Sequence, residues 1–159
     1  MVTNVNCLFM LVIIEKKDES GEGMLSEQMK QQLVKVLSER VNPAFILLFG
    51  SHAKGNARED SDIDLAYYAP HQLSFYERFL LAGELAQICQ VNVDLVNIRE
   101  IDTVFSMQIF STGELLACQD ENEFVKQRMK AFSMYAALNE QRVEILRSIQ
   151  DRGSVFGDE

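Results

Sequence analysis

Two aspartates at alternate positions, Asp62 and Asp64, are the residues best suited to chemistry in this sequence. They stand at the start of an apolar run that predicts a strand, and alternate side chains of a strand leave the same face. A third carboxylate, Asp94, lies within a later apolar run, 91–96. Neighbouring carboxylates repel each other unless a cation lies between them, and Mg²⁺ typically binds one or two carboxylates together with substrate phosphates. The pattern therefore indicates a Mg²⁺ site that faces a phosphate.

A phosphate site is predicted shortly before these aspartates, at Gly50-Ser51. The run 45–49 is short, apolar and ended by a glycine, which is typical of a buried strand. Gly50 has no Cβ, so a ligand can approach the backbone closely there. A helical turn starting at His52 would direct free N–H groups at the same point. Ser51 adds a hydroxyl, and Lys54 adds a positive charge.

The order of these features resembles the nucleotidyltransferase superfamily of the DNA polymerase β type. That superfamily is marked by Gly-Ser after the first strand, two acidic residues on the next strand and a third on a later one. The sequence is most similar to the minimal nucleotidyltransferases (MNT proteins), whose Gly-Ser-x-Ala-Arg-Gly…Ser-Asp-x-Asp-Leu pattern is nearly matched by residues 50–65. Lys54 stands where Arg is usual, which keeps the charge but loses the planar guanidinium. The resemblance extends from about Ser26 to Gln119.

The resemblance implies a nucleotidyltransferase whose three aspartates are both catalytic and metal-binding. Asp62 and Asp64 would bridge two Mg²⁺ ions in the two-metal manner. Asp94 would hold the ion on the side of the attacking hydroxyl and would be placed to take its proton. The Gly-Ser turn and Lys54 would bind the phosphates of the nucleotide substrate, ATP.

For the MNT proteins the resemblance also implies a partner. It indicates an antitoxin that forms a hetero-oligomer with a HEPN-family RNase toxin and neutralises it by transferring AMP from ATP to a toxin tyrosine. Larger members of the superfamily carry an extra domain for the acceptor, whereas the core here uses most of the chain, so we expect another molecule to supply the acceptor. Two alternatives remain open: a non-catalytic antitoxin that acts by binding the toxin, and a small-molecule nucleotidyltransferase of the aminoglycoside-modifying kind.

Composition limits the classes of partner. The 159 residues carry a formal net charge of −9, which argues against a direct nucleic-acid surface and is compatible with a basic protein partner. The apolar run 7–14 is shorter than the ~20 residues that span a bilayer, and it lacks the flanks of a signal peptide. Cys7, Cys89 and Cys118 lie in apolar runs without metal-binding spacing, which predicts reduced thiols. We therefore expect a cytoplasmic protein with no membrane segment.

The remaining periodicity predicts the α/β (α+β) class, with a small mixed β-sheet flanked by helices in a polymerase-β-like arrangement. Helices are expected over 26–40, 74–90 and 100–111, and strands over 44–49, from the aspartates to about 68, over 91–96 and over 114–118. Two helices have predicted inward faces, which comprise Phe75, Phe79, Ala82, Leu85, Ala86 and Cys89 in the first and Ile101, Val104, Phe105 and Ile109 in the second.

A long helical pattern ends the chain, over residues 121–152, with a stripe formed by Phe132, Tyr135, Leu138, Val143, Leu146 and Ile149. At 1.5 Å per residue it would be ~45 Å long, so its distal half is either a partner-binding surface or a core-packing helix with a frayed end. The predicted domains are an N-terminal extension (1–23), a nucleotidyltransferase domain (24–119), the C-terminal helix (120–152) and a tail (153–159). The run 7–14 is either an added edge strand or precedes a biological start at Met24.

Overall fold

The structure, a computed structural model, describes residues 25–152. In chain order its elements are α1 (Glu27–Val41), β1 (Phe45–Phe49), α2 (Gly50–Lys54), β2 (Ile63–Tyr68), α3 (Phe75–Cys89), β3 (Val93–Asn97), a 3-10 helix (Ile98–Glu100), α4 (Thr103–Thr112), β4 (Glu114–Cys118) and α5 (Glu121–Arg152). The predictions for the extension 1–23, the start at Met24 and the tail 153–159 lie outside the described residues. The boundary between residues 119 and 120 stays a prediction.

The four strands form one mixed sheet in the order β3-β2-β1-β4. Strand β1 is antiparallel to both β2 and β4, and β2 is parallel to β3. Because parallel neighbours need a crossover connection, α3 joins β2 to β3 across one face of the sheet. The predicted fold class, a small mixed sheet flanked by helices, is confirmed.

Each face of the sheet has its own core. Ile63, Leu65 and Tyr67 of β2 pack with buried residues of α1 and α3 on one face. Ala66 packs with residues of α4 and α5 on the other face. Since alternate strand residues share a face, Asp64 leaves the sheet on the same side as Ala66, at the end where β2 begins.

Helix ends follow local signals. Ser26 accepts a hydrogen bond from the Met29 N–H and caps α1, an arrangement usually worth ~1 kcal/mol. Ser74 and Glu77 form a reciprocal capping box at the start of α3. Gly113 ends α4, with its N–H donating to the Ile109 carbonyl.

The predicted inward face of α3 is wrong at its first two members. Phe75 is 85% exposed and Phe79 is 66% exposed, whereas Leu81, Leu85 and Cys89 are buried. Helix α3 is apolar around much of its circumference, so its sequence does not define a single stripe. Packing against the sheet selects the stripe through Leu81 and Leu85 and leaves the two phenylalanine rings outside.

Helix α4 also differs from its prediction. It begins at Thr103 rather than at 100, because Asp102 caps it by accepting from the Phe105 N–H. Val104 is 41% exposed and does not face inward, whereas Ile109 is fully buried. Phe110, which the prediction omitted, is buried beside it.

Helix α5 continues to Arg152 as predicted. Its proximal half packs against α4, and Ala131 is its buried residue. Val143 and Leu146, members of the predicted stripe, are 45% and 64% exposed. The stripe is therefore packed only in part, and the distal half leaves apolar side chains in solvent.

The thiols of Cys89 and Cys118 are both free, and Cys7 lies outside the described residues. Within residues 25–152, no helix combines the length and apolar character needed to cross a membrane.

Candidate active site

The Gly-Ser turn forms the first wall of the candidate site. Strand β1 ends at Phe49, and Gly50 has a φ of +71°, so the chain leaves the strand through the left-handed region that glycine adopts without strain. Helix α2 begins at Gly50, not at His52 as predicted, and ends at Lys54, where Gly55 caps it with a φ of +74°. The N–H groups of Gly55 and Asn56 both donate to the Ser51 carbonyl. This closes a compact turn at the end of β1.

Asp64 lies in the middle of the site. It pairs in register with Phe49 on one side and with Asp94 on the other. A Cβ at Gly50 would overlap the Oδ2 atom of Asp64 and lie 3.0 Å from its Cγ. The glycine backbone and the carboxylate are therefore in direct contact.

The pKa of Asp64 reflects both of the other carboxylates. Its pKa is raised above the usual value, first by burial and then by the negative charges of Asp94 and Asp62. His52 has the opposite effect and lowers this pKa. The aspartates that were predicted to converge beside the Gly-Ser turn do so, although Asp62 lies immediately before β2 rather than within it.

Asp62 and Asp94 open onto a cleft of about 510 Å³, lined also by Phe75, Arg78 and Phe79 of α3. Both carboxylates are exposed, in contrast to the half-buried Asp64. Asp64 and Asp94 are in register and leave the same face of the sheet, whereas α3 packs on the other face, so the aromatic cleft meets the site along the edge of β3. This contribution of α3 was not predicted, because Phe75 and Phe79 were assigned to the core.

A residue whose role sequence reasoning missed is His52. Its Nε2–H donates to the Ser61 carbonyl at 3.1 Å, which ties α2 to the residue preceding Asp62. The hydroxyl of Ser61 accepts from the Arg58 N–H at 2.7 Å, so the turn before Asp62 is closed by Ser61 as well. The partner of His52 is a backbone carbonyl, and no residue type in the sequence marks such a contact.

Lys54 lies on the last turn of α2 and is exposed. It forms no ion pair with any other described residue. Ser51 is half-buried at the first turn of the same helix. The structure thus leaves the Lys54 ammonium available to a ligand that approaches the turn.

No cluster of three or more His, Cys, Asp or Glu side chains within residues 25–152 has the spacing of a ready-made metal site. Mg²⁺ seldom uses such a cage, since it keeps several waters and shares its ligands between one or two carboxylates and substrate phosphates. The donor set here consists of hard carboxylate oxygens, and the pKa of Asp64 is raised by burial and then by the charges of Asp94 and Asp62. The residues present therefore fit Mg²⁺ bound together with a nucleotide.

Residues 31–122 match the family described as "Polymerase beta, Nucleotidyltransferase". The chain belongs to this nucleotidyltransferase family. The matched range contains the Gly-Ser turn and all three aspartates.

Among curated relatives of this nucleotidyltransferase, the protein adenylyltransferase MntA of Shewanella oneidensis is 32% identical over 122 residues, which cover 76% of this chain and 86% of MntA. Among solved structures, a toxin–antitoxin with AMP-PNP is similar at a TM-score of 0.67 and 31% identity, covering 79% of this chain and 99% of that one. A complex of a tri-AMPylated HEPN toxin of S. oneidensis with an MNT antitoxin is similar at a TM-score of 0.65 and 28% identity, with the same coverage.

Proposed function

We propose that this nucleotidyltransferase is the antitoxin of a toxin–antitoxin pair and acts as a Mg²⁺-dependent protein adenylyltransferase. It transfers AMP from ATP to a tyrosine of a cognate HEPN-family RNase toxin and so neutralises the toxin. The observation that carries the proposal is the convergence of Asp62, Asp64 and Asp94 beside Gly50. The similarity to MntA and to the solved toxin–antitoxin complexes supports the choice of donor and partner. Since ATP is a cytoplasmic metabolite, we assign the reaction to the cytoplasm.

The Gly-Ser turn binds the triphosphate in this proposal. Gly50 lets a phosphate approach the main chain, the Ser51 hydroxyl donates a hydrogen bond, and the exposed Lys54 ammonium adds charge on the side of the leaving group. Each of these interactions strengthens as negative charge develops on the departing pyrophosphate, which is how a preorganised site accelerates the reaction.

Asp62, Asp64 and Asp94 would hold Mg²⁺, with Asp94 on the side of the acceptor. When bound, the ions neutralise phosphate charge and lower the pKa of the attacking hydroxyl. Burial, and then the charges of Asp94 and Asp62, raise the pKa of Asp64. A bound cation would offset the part that comes from the two neighbouring charges.

The transfer itself is an in-line displacement. The tyrosine Oη forms a bond to the α-phosphorus of ATP, while the bond from that phosphorus to the bridging oxygen breaks and releases pyrophosphate. The phenolic proton passes to the Asp94 carboxylate, which is exposed and free to return it to water. The products are an AMP-tyrosine phosphodiester on the toxin and free pyrophosphate.

The decisive experiment is mass spectrometry of the cognate toxin after incubation with this protein, ATP and Mg²⁺. We expect the toxin to gain AMP on tyrosine and to lose RNase activity. Asp64→Asn should abolish both effects. Asp60→Asn changes an exposed aspartate of the preceding turn and is the matched control, which should behave as wild type.

Two rivals predict other outcomes in the same assay. A non-catalytic antitoxin would neutralise the toxin without any mass gain and would still do so as the Asp64→Asn variant. An aminoglycoside-modifying enzyme would leave the toxin unchanged and would adenylylate the aminoglycoside when it is supplied. Either result would refute protein adenylylation.

A further inference from the structure

A group of large apolar side chains on α3 is turned away from the core. Phe75, Tyr76, Phe79 and Leu80 are 85%, 67%, 66% and 51% exposed. Phe75 and Phe79 are one helical turn apart, so they share a face of the helix. Exposed clusters of large apolar residues usually mark contact sites.

The two phenylalanines line the cleft that contains Asp62 and Asp94. In the proposed reaction Asp94 is on the side of the attacking hydroxyl. A segment that lies along the edge of β3 beside Asp94 would therefore also lie beside the two rings. The cleft volume of about 510 Å³ is within the range of ordinary ligand sites.

The other wall of the cleft is the outer edge of β3, which is the last strand of the described sheet on that side. The Ile63 N–H donates to the Asn92 carbonyl at 2.9 Å, and Asp94 pairs in register with Asp64. In a parallel ladder alternate residues direct both backbone groups to the same neighbour, so Asn92 and Asp94 face β2. The N–H and C=O groups of Val93 and Leu95 point outward, where no described strand pairs with them.

We propose that the tyrosine-bearing segment of the protein acceptor binds in this cleft as an additional strand on β3; this inference rests on the proposed function. Backbone hydrogen bonds to Val93 and Leu95 fix the register of the segment. A tyrosine opposite Asp94 leaves the same face of the sheet as that carboxylate. The residues on either side of the tyrosine leave the opposite face, where they contact Phe75 and Phe79.

Charge favours a basic segment of a partner over a second copy of this chain. The cleft carries Asp62 and Asp94, and its arginine, Arg78, is already paired with Glu100. Lysine or arginine beside the acceptor tyrosine would therefore be attracted to the cleft. Two copies of this chain, each with a net charge of −9, would repel each other.

The test compares wild type with the double variant Phe75→Ser/Phe79→Ser. Partner affinity is measured by calorimetry without ATP, and AMP transfer is measured as a function of toxin concentration. We expect both Kd and KM for the toxin to rise about 10-fold or more, while the affinity for ATP with Mg²⁺ and the melting temperature stay unchanged. The matched control is Val125→Ser/Met129→Ser, an i,i+4 pair on α5 with 51% and 64% exposure, which should leave Kd and KM unchanged.

Hydrogen exchange on the full chain tests the added strand directly. The amides of Val93 and Leu95 should exchange readily in the free protein and slow at least about 10-fold when the toxin binds. If they are already protected in the free protein, another segment or a second copy occupies the edge and the proposal is overturned. Unchanged Kd and KM in the α3 variant, or an equal loss in the α5 control, also overturns it.

Failure of the proposed function gives a different result. If wild type binds the toxin but transfers no AMP, adenylylation fails. The docking surface then still stands if the α3 variant loses binding and the β3 amides are protected by the toxin. If wild type transfers AMP and the α3 variant does so with the same KM for the toxin, adenylylation stands and the docking surface fails.

Discussion

Gly50 and the Asp64 carboxylate are in direct contact, so that a Cβ on the glycine would overlap the Oδ2 atom. This contact joins the turn that is suited to phosphate with the most buried of the three aspartates. It also means that position 50 has two separate reasons to be glycine, its φ of +71° and the space taken by Asp64.

The two reasons can be separated by comparing Gly50→Ala with Gly55→Ala. Gly55 has a similar φ of +74°, but no atom lies within 4 Å of a Cβ built there. Both variants should lose about 1–2 kcal/mol of stability through left-handed strain. Only Gly50→Ala displaces Asp64, and an ångström-scale displacement can cost about 100-fold in rate. We expect a loss of that size in kcat/KM for Gly50→Ala and a change of about threefold or less for Gly55→Ala. Equal losses in kcat/KM for the two variants would show that backbone strain, and not the displacement of Asp64, lowers the rate.

The sequence predicted the elements that position the site because their signals are local. A five-residue apolar run followed by Gly50 has few alternatives to a strand and turn, and the alternation around Asp64 fixes which side chains face the core. The convergence with Asp94 followed from the resemblance, since nothing in the spacing of Asp94 specifies that β2 and β3 are neighbours in register.

The features that the sequence did not predict depend on which face of a helix packs against the sheet. Phe79 and Leu81 are equally suited to a core, and only the docked sheet determines that Leu81 is buried and Phe79 is not. The contact of His52 with the Ser61 carbonyl is likewise invisible, because backbone acceptors carry no residue signature.

Because the pKa of Asp64 is raised in the folded chain, the free energy of unfolding should depend on pH. Burial, and then the charges of Asp94 and Asp62, raise this pKa in the folded chain. Between the unfolded value of about 3.9 and the raised value, the folded state binds more protons than the unfolded state, so its stability falls as pH rises. Without divalent ions, Asp64→Asn should therefore melt at a higher temperature than wild type at pH 7. The difference should shrink as pH falls toward about 4.

Thermal melts from pH 4 to 8 would check this, with the exposed Asp60→Asn as the control that should track wild type. If Asp64→Asn were less stable than wild type at neutral pH, that result would contradict an unfavourable charge at Asp64 in the folded chain.

Mg²⁺ should stabilise the wild-type fold. Binding at ten times Kd contributes about 1.4 kcal/mol, which corresponds to roughly 3–6 °C for a chain of this size. Asp64→Asn and Asp94→Asn should lose most of this shift, whereas Asp60→Asn should retain it. The shift is measured with and without a non-hydrolysable ATP analogue, which supplies the remaining oxygen ligands. An undiminished shift in both site variants would place the metal elsewhere.

His52 should act as a positioning residue for the turn before Asp62. Its Nε2–H donates to the Ser61 carbonyl, and loss of this bond frees the segment that leads into β2. We expect His52→Ala to lower kcat/KM for AMP transfer about 10-fold, since one hydrogen bond contributes ~1 kcal/mol and Asp62 loses its fixed position. His52→Gln, which keeps an N–H donor, should recover part of the rate. His71→Ala is the matched control at an exposed histidine and should have no effect. If His52→Ala and His52→Gln were equally impaired, the ring would act through something other than its bond to Ser61.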